Sequence, residues 1–252
     1  MLRSHRADTH DRPRLPRRGI SLLEVLAVIV IVAMVLALLI PALIAARDSA
    51  RRSRCALNQQ AIGAAWQLYI RDEGAFPSIS QGGGAWTYAG VTFSRIDGRP
   101  TLDYSRPINR FLSGSWIRDQ DGTVFQSPVD RGIKAGGTGE AEVESAYRSF
   151  GTSYRANDAL FSKGLPLKRA EIAADPSRLV IMGAPFWYEV LHDTGRSASW
   201  YGAPDTGIVL FLDNSTRTIR VERGNPRTEA YTFIPGRRAA DPNPTQEERT
   251  GR

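Results

Sequence analysis

The chain has 252 residues, 42% hydrophobic and 23% charged, enough for one domain with a real core and an appended segment. Its net charge of +7 suggests nucleic acid at first, but the charge sits in two short patches. Residues 1–19 carry six arginines against Asp8 and Asp11, "RDSARRSR" (47–54) carries four against Asp48, and everything else sums to zero, which excludes an electrostatic nucleic-acid binder.

The basic leader ends in "RRGISLLEV" (17–25), and the next 22 residues, Val25 to Ala46, carry no formal charge. As a helix they span roughly 30 Å, the thickness of a bilayer core. The run is too long for the apolar region of a secretory signal and apolar all round, so the expectation is a membrane-inserted helix. Pro41 lies inside it, and a bend or loosened turn near residues 37–41 is expected there. Arginines on both sides leave only a slight bias toward a cytoplasmic N-terminus. Glu24 is the anomaly, because a carboxylate in a membrane helix is costly. It either snorkels to the headgroups or takes a cation from another molecule, such as the α-amino group that a cut after Gly19 would create on a neighbour's Ile20.

Residues 42–71 are predicted to continue the helix, with Cys55, Ile62, Ala65, Trp66 and Tyr69 on one face. Arg47, Arg51, Arg52 and Arg54 crowd its first solvated turns, to meet headgroups or acidic residues of a neighbour. The helix should end at Asp72-Glu73-Gly74, with Gly74 a left-handed cap and Pro77 barring continuation. Cys55 is the sole cysteine, so no internal disulfide forms.

Together these residues resemble the class III signal of type IV pilins and type II secretion pseudopilins: a basic leader, Gly19 before the cut, Glu24 at the fifth mature position and an internal Pro41. Ile20 stands at the first mature position, where Phe is commonest. The resemblance implies cleavage after Gly19 by a prepilin peptidase, N-methylation of Ile20, and pairing of Glu24 with a neighbour's N-terminus during assembly. Residues 46–77 are also similar to the juxtamembrane segment of a planctomycete-type pilin-like group, with Tyr69, Asp72, Gly74, Phe76 and Pro77 at its exit. Looser matches follow: "FQSPVD" (125–130) resembles a Cys-Pro-x-Asp element with Ser127 in place of Cys, "SFGTSYRAN" (149–157) a Ser-Tyr-Gly-x-Asn segment, "PSRLVIMGA" (176–184) a Pro-Ser-Arg strand, and "GIVLFLDNSTRTIRV" (207–221) a closing hairpin. His192 lies too far upstream to fill the family's hairpin histidine.

Beyond the helix, Gly82-Gly83-Gly84, Asp97-Gly98 and Asp121-Gly122 separate short aromatic runs at 86–93 and 122–127, and 132–145 is expected to be a mobile loop. "RLVIMGA" (178–184) and "GIVLFLD" (207–213) are expected central strands, and "TRTIRVE" (216–222) a half-buried one. The last two form a hairpin through Asp213-Asn214-Ser215.

Chemistry is scarce. His192-Asp193 near Ser197 or Ser199 lacks any nucleophile turn, and Asp205, Asp213 and Asn214 are better turn formers than metal ligands. No catalytic residue, cofactor or metal is expected. The expected fold class is α+β: a long N-terminal helix packed by its outer half on an antiparallel β-sheet. The expected organisation is a leader (1–19), a transmembrane and assembly helix (20–46), an amphipathic continuation and exit (47–77), a β-rich domain (78–234) and a disordered tail (235–252). The function implied is a structural, non-enzymatic subunit of the inner membrane, N-terminus cytoplasmic and C-terminal domain extracytoplasmic. Its partners would be the prepilin peptidase, an inner-membrane assembly platform, other pilin or pseudopilin subunits and lipid, but no nucleic acid. The alternative is a single-pass anchored binding module that does not polymerise, its ligand held by Trp86, Trp116, Trp187 or Trp200. A membrane-tethered hydrolase is a third reading, which loss of activity on changing His192 would support.

Overall fold

The computed structural model describes residues 21–78, 84–112, 124–133, 142–161, 166–192 and 200–236. Two compact units divide the chain between Arg47 and Asp48, although one helix, α1 (Leu22–Glu73), runs through both.

In the first unit the described residues are helical from Leu22 and exposed throughout. An all-apolar surface has no stripe to turn inward, so nothing in the sequence tells this segment which side to bury. The helix passes Pro41 without interruption. The missing N–H removes a single bond from a ladder otherwise kept intact, and the expected loosened turn at 37–41 does not interrupt the helix.

In the second unit helical periodicity takes over. Cys55, Gln59, Ile62, Gly63, Ala65, Trp66 and Ile70 are buried, three or four residues apart. Trp66 is fully buried, its ring 5.4 Å from both Tyr88 and Phe76 and 5.9 Å from Phe161. Truncating such a residue typically costs about 3–5 kcal/mol. Tyr69, expected on the same core face, is only half-buried, and Arg110 lies over its ring at 5.4 Å. The helix ends as its residues predict: Gly74 takes φ +69° and its N–H donates to the Ile70 carbonyl at 2.9 Å.

The main sheet is antiparallel, in the order β3 (Arg155–Ala156), β4 (Val180–Gly183), β5 (Thr206–Phe211) and β6 (Thr216–Arg220). The predicted closing hairpin forms, with Leu210 opposite Thr216 and Thr206 opposite Arg220. Asn214 supplies the positive φ of its turn, 68°. All of β4 and nearly all of β5 are buried, because both faces are covered. Leu210 meets α1 beside Gly63, and Gly207, on the opposite face by strand alternation, lies against the Phe186 ring of α4 (Phe186–Leu191). On β6 only Ile219 is buried, and the charged positions Arg217 and Arg220 mark an exposed edge.

A two-stranded hairpin, β1 (Val91–Phe93) with β2 (Pro100–Leu102), stands apart from this sheet. The 86–93 run is therefore split: a helical turn, α2 (Gly84–Thr87), precedes β1. Buried Asn109 ties the two segments, accepting from the Gly90 N–H and donating to the Gly90 and Asp103 carbonyls. Val124 and Phe125, from the second aromatic run, lie in a turn rather than a strand. Of the expected mobile loop, 134–141 lies outside the described residues, while its ends are pinned by a bridge between Ile133 and Val143. Most of the expected disordered tail, 237–252, lies outside them as well. The described architecture is α+β, a long N-terminal helix with antiparallel sheets.

Candidate functional site

The helix mouth starts at Ser21, whose side chain and carbonyl accept hydrogen bonds from the Glu24 N–H at 3.2 and 3.1 Å. Ser21 is thus the N-cap and Glu24 the third helical residue, the Ser-x-x-Glu spacing of a capping box. A carboxylate there also suits the positive end of the helix dipole. This local role is an alternative to the intermolecular one, and its signature was present in the sequence. Among the described residues no cation lies against the Glu24 carboxylate. Gly19 and Ile20 lie outside them, and Pro41 sits in the exposed, uninterrupted helix.

Four arginines follow the apolar run. Arg51 pairs with Asp48 at 3.8 Å, and Arg52 donates to the Tyr201 carbonyl at 3.1 Å. One turn on, Cys55 is fully buried in a polar cluster. Its Sγ lies 2.8 Å from the Tyr201 hydroxyl, and it accepts from Gln59 at 3.6 Å and from Ser127 at 3.7 Å. Gln59 also donates to the Ile208 carbonyl of β5, and Asn58 to the Gln126 carbonyl. Burial pushes the Tyr154 and Tyr201 phenols well above their ordinary pKa, and the neighbouring Cys55 pushes both the same way. These groups join helix, sheet and loop through the middle of the unit.

The loosely matched segments turn out to be the hubs of this network. Asp130, the acid of the Ser127-Pro128-Val129-Asp130 element, takes five hydrogen bonds. Its Oδ1 accepts from the Gly132 and Ala146 N–H groups, and its Oδ2 from Ser145, Ser153 and the Tyr147 N–H, all between 2.8 and 3.1 Å. Ser145 also caps α3 (Ala146–Phe150). Asn157, from the Ser-Tyr-x-x-Asn segment, donates to the Val180 and Phe233 carbonyls, tying β4 to the C-terminal strap. Ser127, at the position where the resemblance has Cys, points at the only cysteine.

The remaining candidates do not assemble. His192 Nδ1 sits 2.9 Å from the Tyr188 carbonyl with its ring 4.1 Å from the Tyr188 ring, while Asp193, Ser197 and Ser199 lie outside the described residues. Asp205, at φ 54°, pairs with Arg223 at 3.3 Å. Asp213 accepts from the Ser215 N–H and hydroxyl in the β5–β6 turn, beside Asn214. Among the described residues no three His, Cys, Asp or Glu side chains converge as metal ligands. Trp86 stacks on Phe150 and Trp187 on Phe233, and Trp200 donates to the Gly132 carbonyl. All three are buried, so they form no open aromatic platform; Trp116 lies outside the described residues.

The arrangement is therefore an exposed apolar helix, capped beside one carboxylate, whose other half is bolted into an α+β unit by buried polar hubs. One stretch of it is long and apolar enough to cross a membrane. Comparison of the chain with protein-family models, curated proteins and solved structures finds no match.

Proposed function

We propose that the chain is a pilin-like precursor, cut after Gly19 by a prepilin peptidase and assembled through its N-terminal helix into a type II secretion pseudopilus or a type IV pilus-like filament. The observation that carries this reading is the exposed helix itself: 22 uncharged residues preceded by a single carboxylate and continuing into a folded unit. Exposed apolar surface on this scale needs lipid or other helices around it. In the membrane the helix keeps its backbone satisfied internally. In a filament the same surface meets the helices of other subunits, and Glu24 takes the α-amino group of a neighbour's Ile20. The C-terminal unit lies on the extracytoplasmic side. The role is structural and involves no catalysis.

The test separates Glu24 as a cap from Glu24 as an assembly contact. Glu24→Ala removes the carboxylate while Ser21 still caps the helix, so membrane insertion and leader cleavage persist and cross-linking between mature helices in cells is lost. Glu24→Gln keeps the shape without the charge and behaves like the alanine variant. Normal incorporation of either variant into cross-linked assemblies would remove Glu24 from the mechanism.

A further inference from the structure

A cavity of about 390 Å³ opens in the second unit, lined by Arg54 of α1, Arg148 of α3, and Gln126, Ser127, Pro128, Asp130 and Ser145. That volume falls in the range of small-ligand sites, about 300–1,000 Å³. Arg54 and Arg148, from separate elements, line it, and among the described residues neither has a carboxylate within ion-pairing distance. The Arg148 guanidinium lies over the Phe93 ring, at 5.9 Å. Asp130 is the one acidic residue in the lining, and its two oxygens already accept five hydrogen bonds from its own loop and α3. A carboxylate offers about four acceptor sites, so Asp130 has none left for an arginine.

We propose that this cavity is an anion site for a phosphate group carrying a small polar substituent. Two planar forks of N–H donors suit a tetrahedral phosphate better than a single carboxylate. The Ser127 hydroxyl is committed to Cys55 and to the Val129 N–H, so the Gln126 side-chain amide is the lining group that meets a hydroxyl on the substituent. A soluble glycerol or sugar phosphate and the phosphoglycerol headgroup of a lipid share this chemistry.

The test uses the full chain in phosphatidylcholine nanodiscs, titrated calorimetrically with glycerol 1-phosphate. Saturable binding is expected, weakening with added salt. Arg54→Gln and Arg148→Gln should each weaken it about tenfold, the effect of losing one charge-assisted contact. Arg99→Gln, on the β1–β2 turn, should leave it unchanged. Repeating the titration in discs containing phosphatidylglycerol separates the sources. Undiminished binding assigns the site to a soluble phosphate, and suppressed binding to the lipid headgroup. No saturable binding in phosphatidylcholine discs, or binding indifferent to both arginine variants, overturns the proposal.

Discussion

At the scale of single residues, Cys55 and Ser127 hold the most direct test of the polar cluster. Their Sγ and Oγ lie 3.7 Å apart and 72 residues apart in sequence. Ser127→Cys places a second thiol against the first, and mild oxidation should link them, seen as loss of free thiol and of two hydrogens by mass spectrometry. Closing so long a loop stabilises by up to about 4 kcal/mol in the chain-entropy model. A variant that keeps both thiols free under oxidation would mean that the two side chains do not face each other in solution. The buried phenols make a second prediction. Burial raises Tyr88, Tyr154 and Tyr201 above the ordinary tyrosine value of 10.0. Groups raised in the folded state contribute stability that is complete below the unfolded pKa and is lost as pH rises through the folded one. Stability of the second unit should therefore decline above about pH 10, with tyrosinate absorbance from these residues appearing only as circular dichroism is lost. Neither feature was legible beforehand. Cys55 could be placed on a buried helix face by spacing, but two of its partners, Ser127 and Tyr201, come from loops more than 70 residues away, and no local pattern announces such contacts. The Ser-Pro-x-Asp and Ser-Tyr-x-x-Asn segments could be singled out, but their work as hubs appears only once the chain is folded.

Among the elements, legibility followed periodicity. The outer half of α1 has a clear 3.6-residue pattern and a glycine stop, and β5–β6 has two β-rich runs around a turn residue able to adopt positive φ. Both formed as expected. The segment between residues 79 and 130 has short runs broken by glycine, with neither helical nor strand period, and its described residues form a helical turn, a small hairpin and loops pinned by Asn109 and Arg106. Gly63 is the element-scale feature that local rules misjudge. In a helix, Gly→Ala normally gains about 1 kcal/mol from propensity. Here a Cβ would strike the Asn214 side chain and come within 2.8 Å of Leu210, and overpacking typically costs 1–3 kcal/mol. The clash outweighs the propensity gain because Leu210 is fully buried. Gly63→Ala should thus lower the urea midpoint of unfolding rather than raise it, and an unchanged or higher midpoint would mean that α1 does not press on the β5–β6 hairpin here. Gly207→Ala, facing the buried Phe186 ring on the other side of the sheet, should do the same.

Over the whole molecule, the charge pattern and the apolar run divide the work. Arginines flank a segment with no charge of its own, and the rest of the chain is balanced, so the excess charge lies beside the apolar segment rather than spread over the domain. The folded unit needs no disulfide, because helix and sheet meet around a large aromatic core threaded by buried hydrogen bonds. What a membrane-length helix cannot say by itself is whether it is merely an anchor or the assembling part of a larger object. That distinction rests on one covalent event at its start. The most direct measurement is N-terminal mass spectrometry of the protein recovered from its native membrane. A chain beginning at Ile20, heavier by one methyl group, is the result this account predicts; a chain that still carries its basic leader ahead of Gly19 would contradict it.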